Sequence, residues 1–209
     1  MANDLVVSLL RHGLTLANEQ RQYIGWTDVR LSDKGKRELR RKQFGRNGVN
    51  IVFSSPLKRC LETAAILFPR AEIVEMAELK EMYFGAWEGK TYEELKNNTI
   101  YRKWLTDIFT NPIEAGETYD QFDKRVMRGL QKMFYTIIEE KLTNIVIVTH
   151  GGVIRHLMHT YFPHEKDFFA WDIPYGGGYQ LVYSLPKKRK DDGQCILLQE
   201  APITVKRIG

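Results

Sequence analysis

Two histidines in this sequence are each followed by glycine at the end of an apolar run. His12 lies in LLRHG (residues 9–13), and His150 lies in THGG (residues 149–152). A neutral imidazole can attack phosphorus directly, and a neighbouring arginine favours the neutral ring because it opposes protonation. By itself, the motif at His12 fits a nucleophile and a histidine that merely ends a strand equally well.

Arg59 and Glu81 could complete a site for a phosphoryl group. A guanidinium binds phosphate oxygens bidentately and keeps its charge at any working pH, although the alternative for Arg59 is a surface pair with Glu62. Glu81 falls in an aromatic, glycine-broken segment (residues 79–89) that could desolvate its carboxyl, and a protonated carboxyl beside a leaving oxygen is a general acid. In a chain with 26 acidic residues, composition alone does not single out Glu81.

Metal binding is the competing use of histidines. His156 and His159 are three residues apart and share a helix face. No cysteine pair and no carboxylate at the usual ligand spacing accompanies them. We therefore expect neither a metal ion nor a cofactor.

The residues that could do chemistry follow strands in a chain that alternates strands with helices. The predicted strands are 4–10, 50–55, 71–74, 144–149, 178–185 and 194–201, the last two joined across a basic hairpin tip at 187–193, and the predicted helices are 34–44, 56–67, 92–109, 119–141 and 153–161. This alternation predicts a layered α/β fold with parallel neighbouring strands. In such sheets a ligand site lies beyond the carboxyl ends of the strands, where the two histidines can meet.

The second predicted helix matters because it carries Arg59. Its apolar residues recur at helical spacing and are predicted to face the core: Leu57, Leu61, Ala64, Ala65 and Phe68. Arg59 lies outside this stripe, in the first turn. A cation there opposes the helix dipole, which is unusual for a residue that only stabilises the helix.

Composition narrows the class of partner and the compartment. The chain has 209 residues, 43% of them apolar, and a net charge of +5, which fits an anionic small substrate but is too mild and dispersed for nucleic acid. Two cysteines without a closely spaced framework favour a reducing cytoplasm. The first residues lack a basic signal region, and the run 5–10 is too short for a membrane span. We expect a cytoplasmic protein without membrane attachment, and its oligomeric state stays open.

Several short motifs occur together in one order along the chain, and with them the chain resembles the histidine phosphatase superfamily, also called the phosphoglycerate mutase-like family. Any one motif is weak, but the set spans residues 5 to about 185 and is highly specific. The matching pieces are Arg11-His12-Gly13 with Thr15 and Asn18, Gly25-Trp26 through Leu31 and Gly35, Ser54-Ser55-Pro56-Leu57 with Arg59 and Thr63-Ala64, residues 79–89, Gly116-Glu117, and Thr149-His150-Gly151-Gly152.

The resemblance implies a three-layer sandwich with a mostly parallel central sheet, helices on both faces, and one domain over residues 1–209 with a mainly helical excursion at about 90–140. It also implies a covalent mechanism in which His12 becomes phosphohistidine and Glu81 donates a proton to the leaving alcohol. The residues that would hold the phosphoryl group are Arg11, Asn18, Arg59, His150 and Gly151. Ile24 and Gly25 would contact the substrate at the pocket mouth.

The same resemblance favours a phosphatase over a mutase. Family mutases carry a long, basic insertion after the glutamate, whereas residues 82–116 here are short and contain four basic and five acidic side chains. We therefore expect a metal-independent phosphomonoesterase acting on a small phosphorylated metabolite, close to the broad-specificity and α-ribazole phosphate phosphatases. The pair Arg102-Lys103 keeps a phosphoglycerate mutase-type transfer as the alternative. The third hypothesis is a catalytically silent phosphate-binding protein. The intact set of site residues argues against it.

Two positions depart from the family pattern. Ile24 stands where relatives usually have a small or polar residue, and Arg30 stands where many have proline. Ile24 could make the pocket mouth more apolar. Neither residue belongs to the phosphoryl-binding set, so the departures leave the reaction class alone and leave the substrate open.

Overall fold

A single sheet of six strands runs through the centre of the computed structural model, which describes residues 5–42, 44, 48–163, 165–183 and 203–208. The strands are β1 (Leu5–Arg11), β2 (Ile51–Ser54), β3 (Glu72–Glu75), β4 (Asn144–Thr149), β5 (Gly178–Tyr183) and β6 (Ile203–Ile208). Their order is β3-β2-β4-β1-β5-β6. The first four are parallel, and β5 runs antiparallel to both of its neighbours.

Seven α-helices occur among the described residues, and several begin at a side-chain cap. They are α1 (Leu16–Glu19), α2 (Asp33–Arg41), α3 (Lys58–Leu67), α4 (Tyr92–Leu95), α5 (Thr99–Thr106), α6 (Tyr119–Glu139) and α7 (Gly151–Tyr161). Ser32 accepts the N–H of Gly35 at the start of α2, and Thr118 caps α6 with a capping box. None of the described helices is long and apolar enough to cross a bilayer.

Alternate side chains of the central strands pack into two separate hydrophobic cores, one on each face of the sheet. In β1, Leu5, Val7 and Leu9 pack on one face with residues of α6 and α7. Leu10 points to the opposite face, where it packs with residues of α2 and α3. Because strand side chains alternate between the faces, a strand that is apolar at both sets of positions must be covered on both sides. The expected three-layer α/β architecture with a mostly parallel sheet is confirmed.

The register of the two longest parallel neighbours brings the histidines together. Arg11, the last residue of β1, lies opposite Thr149, the last residue of β4. The backbone N–H of His12 then donates to the Thr149 carbonyl at 2.9 Å. His12 and His150 therefore leave the sheet side by side at its carboxyl edge.

The buried face of α3 matches the predicted stripe in part. Leu57, Ala64 and Phe68 are buried as predicted, but Ala65 is exposed and Leu61 only half-buried. Cys60 and Thr63 are buried in their place. Arg59 is also among the buried residues of this helix. The prediction followed apolar character, so it included Leu61 and Ala65 and passed over Thr63, whose hydroxyl donates to the Arg59 carbonyl at 2.6 Å within the helix.

Other elements also differ from the sequence predictions. The single helix expected over 92–109 is two helices, because the Asn98 side chain accepts the N–H of Tyr101 and starts α5 afresh. The third strand is shifted by one residue, to Glu72–Glu75. The strand β6 was not predicted, and the predicted strand 194–201 and hairpin tip 187–193 lie outside the described residues. The assignment of the whole chain to one domain stays a prediction.

Candidate active site

His12 is buried at the carboxyl end of β1, and its surroundings select one tautomer. Its Nδ1 lies 2.7 Å from the carbonyl oxygen of Gly13. Because a carbonyl only accepts, Nδ1 carries the proton of the neutral ring and Nε2 keeps a lone pair. Burial lowers the pKa of His12 well below 6.5, and the charges of Arg59 and Arg11 lower it further, against the opposing bond to Gly13. At neutral pH the ring is therefore neutral, as a nucleophile requires.

His150 lies beside this ring at the start of α7. The ring centroids of His12 and His150 are 5.2 Å apart with an interplanar angle of 61°. A hydrogen bond of 2.8 Å joins His150 Nε2 to Ser55 Oγ. Burial lowers the pKa of His150 well below 6.5, followed in size by the effect of Arg59. The two histidines thus form a buried pair that stays neutral at rest.

A cysteine completes the buried wall behind His150. Cys60 Sγ lies 3.5 Å from His150 Nε2 and 3.6 Å from the Thr149 carbonyl oxygen. Burial raises the pKa of the Cys60 thiol to about 12. The sulfur is therefore a protonated, neutral packing group in this wall rather than a thiolate.

Arg59 reaches the site from the first turn of α3 and is nearly inaccessible, with 1% of its surface exposed. Its Nη1 donates to the Thr27 carbonyl at 2.9 Å, and its Nη2 donates to the Gly25 carbonyl at 2.6 Å. The alternative of a surface ion pair with Glu62 is wrong, because Glu62 instead binds Arg30 at 2.6 Å. Burial lowers the pKa of Arg59 from its ordinary value, so its charge exists at a desolvation cost that an anion could offset.

Arg11 supplies a second cation beside His12 and lies close to another arginine. Its Nη1 donates to the Ile173 carbonyl at 2.8 Å, and its Cζ lies 3.8 Å from the ring centroid of Tyr175. A Cβ built on Gly151 would be 3.3 Å from Arg11 Cζ and 3.3 Å from Arg155 Nη1. The glycine therefore allows two guanidinium groups to approach the first turn of α7.

Two guanidinium N–H groups in this cluster lack an acceptor among the described residues. The Nε atoms of Arg11 and Arg59 are buried, and neither has a hydrogen-bond partner there. Because buried donors are rarely left unsatisfied, these two indicate a site for an acceptor-rich ligand. An anion with several oxygens, such as a phosphoryl group, fits this donor set. The described residues contain no group of three or more His, Cys, Asp or Glu side chains that could hold a metal ion.

Glu81 is buried and joined to the start of α7. Its Oε2 accepts the N–H of Gly152 at 2.9 Å, and its Oε1 accepts the N–H of Met82 at 3.0 Å. The preceding loop is tied to β4, since Thr149 Oγ1 donates to the Leu79 carbonyl at 2.7 Å. These bonds place a carboxyl group at the same carboxyl edge as the two histidines.

Asn18 does not point a free side chain at the cluster. Its Oδ1 accepts from the N–H and the hydroxyl of Thr15 in the capping box of α1, at 3.3 and 2.9 Å. The Nδ2 amide remains the group that could donate to a phosphoryl oxygen. The role that the resemblance implies for Asn18 therefore stays a prediction.

The two positions expected at the pocket mouth lie in a loop held by Glu88. Ile24 is half-buried, and Gly25 is buried. Glu88 accepts the backbone N–H groups of Gly25 and Trp26 on Oε1 at 2.9 Å each and that of Thr27 on Oε2 at 3.1 Å. A Cβ on Gly25 would overlap both the Met82 carbonyl oxygen and the Glu88 carboxylate. Glycine is therefore required for this loop to present its carbonyl oxygen to Arg59.

The structure gathers most of the sequence-predicted site residues and adds others. His12, Arg11, Arg59, Glu81, His150 and Gly151 lie together, Gly25 contacts Arg59, and Asn18 stands in the adjoining helix α1. Five residues around the cluster were not predicted from the sequence as site residues: Ser55, Glu88, Arg125, Arg155 and Tyr175. Ser55 and Glu88 lay within the matched motifs, whereas Tyr175 had no signal because only the return of the chain before β5 brings it over Arg11.

A neutral, buried histidine pair close to the guanidinium groups of Arg11 and Arg59, at the carboxyl edge of the parallel strands, defines an α/β protein with a site suited to an oxygen-rich anion. The chain belongs to the histidine phosphatase superfamily (branch 1), whose sequence model matches residues 7–188.

Relatives in this family include proteins named as phosphatases. The chain is 30% identical over 161 residues to the adenosylcobalamin/α-ribazole phosphatase of Salmonella typhimurium, a match that covers 72% of this chain and 76% of the relative. It is 34% identical over 158 residues to a bifunctional protein of Mycobacterium tuberculosis, covering 72% of this chain but 42% of that protein. The crystal structure of the α-ribazole phosphatase from Shigella flexneri has the same fold, with a TM-score of 0.74 and 23% identity over 88% of this chain and 92% of that one.

Proposed function

We propose that this protein is a metal-independent phosphomonoesterase that hydrolyses a small phosphorylated metabolite through a phosphohistidine on His12. The observation that carries the proposal is the bond from His12 Nδ1 to the Gly13 carbonyl, which leaves Nε2 unprotonated at neutral pH. The unpartnered Nε groups of Arg11 and Arg59 support it, because an incoming phosphoryl group would satisfy both. The phosphatase names of several relatives support the reaction class.

The first step transfers the phosphoryl group to the ring. His12 Nε2 attacks phosphorus, the bond from phosphorus to the leaving oxygen breaks, and the Glu81 carboxyl gives its proton to that oxygen. The imidazole then carries a positive charge, which the Gly13 carbonyl stabilises through the Nδ1 hydrogen. Arg11, Arg59 and His150 would bind the equatorial oxygens, where negative charge sits in the transition state.

The second step returns the enzyme to its starting state. Water attacks phosphorus, and the Glu81 carboxylate takes one of its protons. The bond between phosphorus and His12 Nε2 breaks, which leaves phosphate, a neutral imidazole and a protonated carboxyl. Each residue thus ends the cycle with the proton count with which it began.

The test replaces the nucleophile and removes metal ions together. His12→Asn should reduce hydrolysis of p-nitrophenyl phosphate by at least about 10³-fold in EDTA, because an amide side chain has no nitrogen lone pair free to form the covalent intermediate. His159→Asn is the matched control, since His159 lies on α7 outside the cluster. Near wild-type hydrolysis by His12→Asn would overturn the covalent role. Loss of wild-type activity in EDTA, restored by a divalent metal, would overturn metal independence.

A mutase is the second candidate, which the sequence supported through Arg102 and Lys103. Both residues are exposed on α5, whose buried face is formed by Tyr101 and Trp104. This placement favours solvent over a substrate carboxylate. Phosphoglycerate incubated with the enzyme should release phosphate faster than it isomerises, and the reverse ratio would establish the mutase. A screen of α-ribazole phosphate, phosphoglycerate and sugar phosphates would then identify the substrate.

A further inference from the structure

The loop that carries Glu81 has little regular structure, yet one side chain from α6 holds it at three points. Arg125 Nη1 donates to the carbonyl oxygens of Glu78 and Lys80 at 2.8 and 2.9 Å. Its Nη2 donates to the carbonyl oxygen of Glu81 itself at 3.1 Å. The backbone of Glu81 is therefore bonded directly to a guanidinium group that belongs to another element.

The same guanidinium is fixed from its other side by a carboxylate. Arg125 Nε donates to Glu117 Oε1 at 2.8 Å, and Nη2 donates to Glu117 Oε2 at 2.7 Å. All five N–H groups of Arg125 thus have an acceptor. Both side chains are largely buried, at 11% and 10% exposure. A planar fork with every donor occupied has a single orientation.

Glu117 also binds the far end of the same loop. Its Oε2 accepts the N–H of Tyr83 at 3.2 Å, and its own backbone N–H donates to the Tyr83 carbonyl at 2.9 Å. The ion pair therefore bonds the backbone on both sides of Glu81, at residues 78–81 and at residue 83. Lysine could not replace Arg125 here, because a single ammonium nitrogen cannot reach carbonyls and a carboxylate on opposite sides.

We propose that Arg125, oriented by Glu117, is a positioning residue that sets where the Glu81 carboxyl meets the leaving oxygen. This inference rests on the proposed role of Glu81 as proton donor. A displacement of about 1 Å in a catalytic group can cost about 10²-fold in rate, so a loop released at three carbonyls should lose much of the acid's contribution. The loss should appear only where the leaving oxygen needs a proton.

The experiment compares leaving groups. An alkyl phosphate requires protonation of its leaving oxygen, whereas p-nitrophenolate leaves readily without it. The measured quantity is the ratio of kcat/KM for the two substrates, because kcat/KM reports the first phosphoryl transfer and the ratio does not depend on the fraction of folded enzyme. Glu81→Gln should lower this ratio by about 10²-fold or more. Arg125→Gln and Arg125→Lys should lower it by about 10-fold or more, and Glu117→Gln in the same direction.

Two controls separate positioning from general damage. Arg128→Gln makes the same change at an exposed arginine of α6 and should leave the ratio unchanged. Adding Arg125→Gln to Glu81→Gln should produce no further loss in the ratio, because the group being positioned is already absent. Equal losses on both substrates in Arg125→Gln and Glu117→Gln would overturn the inference and leave Arg125 a structural residue. An unchanged ratio in Glu81→Gln would instead overturn the acid role itself, and the positioning role with it.

Discussion

Gly152 is the position at which a single methyl group tests the site most directly. Its N–H donates to Glu81 Oε2 at 2.9 Å. A Cβ on residue 152 would overlap Glu81 Oε1 and lie 3.0 Å from Cδ. Because nonbonded carbon atoms settle at about 3.5–4.0 Å and the overlap with Oε1 is deeper than that with Cδ, the carboxyl group must retreat by about 1 Å or more. The substitution Gly152→Ala therefore moves the acid without replacing its carboxyl group.

The fold should tolerate this change. The atoms that must move are the end of one side chain, and alanine gains up to about 1 kcal/mol of helix propensity over glycine in the first turn of α7. Weakening one hydrogen bond to a carboxylate costs about 1.5–3 kcal/mol. The two effects oppose each other, so we expect the free energy of unfolding to change by about 2 kcal/mol at most. Urea unfolding at neutral pH measures it.

Catalysis should fall much further than stability. A shift of this size in the acid should lower kcat/KM for an alkyl phosphate by about 10-fold to 10²-fold, with a smaller effect on p-nitrophenyl phosphate. In a Glu81→Gln background the same methyl group should have no additional effect on the alkyl substrate. A folded Gly152→Ala enzyme that keeps wild-type kcat/KM for the alkyl phosphate would refute the placement of the acid at the start of α7.

Three further changes test the surroundings of the site. The free energy of unfolding should fall as the pH drops below about 6.5, by up to about 1.4 kcal/mol per pH unit for each of His12 and His150. The reason is that their lowered pKa values leave the folded state with fewer protons than the unfolded state. Urea unfolding of His12→Asn should show a shallower dependence of this free energy on pH, and an unaltered dependence would contradict the prediction. Thr63→Val should cost about 1–3 kcal/mol, since the Gly13 N–H loses its acceptor at 2.9 Å, and an unchanged melting temperature would count against this. Glu88→Gln should raise KM several-fold with little change in kcat, because the loop at the pocket mouth loses charge-assisted hydrogen bonds. A selective fall in kcat would instead assign Glu88 a role in the chemical step.

Local sequence pattern was sufficient wherever a strand is buried on both faces. The range predicted for β4, residues 144–149, is the range observed, and β1 ends one residue beyond its prediction. Continuous apolar runs leave little choice of structure, and the turn glycines mark where they end. The same logic failed for part of α3, because Cys60 and Thr63, which an apolar stripe does not single out, fill buried positions of that helix.

The contacts that position the site residues could not be predicted from local sequence pattern. Arg125 binds a carbonyl 44 residues away, and Glu81 binds an N–H 71 residues away. In a single sequence, an arginine or a glutamate on a predicted helix or loop is most simply a solvated surface residue. Only the three-dimensional path of the chain shows that Arg125, Glu88 and Glu117 turn inward and satisfy backbone groups.

The four tryptophans provide an intrinsic fluorescence probe of the site. Trp26 is 39% exposed, while Trp87, Trp104 and Trp171 are 0%, 6% and 3% exposed. The Trp26 indole N–H donates to the Glu81 carbonyl at 2.9 Å, and Lys80 Nζ lies 4.5 Å from its ring centroid. A soluble quencher such as acrylamide will therefore reach Trp26 first, and an anion that enters beside Glu81 will change both its emission and its accessibility. Intrinsic fluorescence can thus follow occupancy of the pocket without any added label.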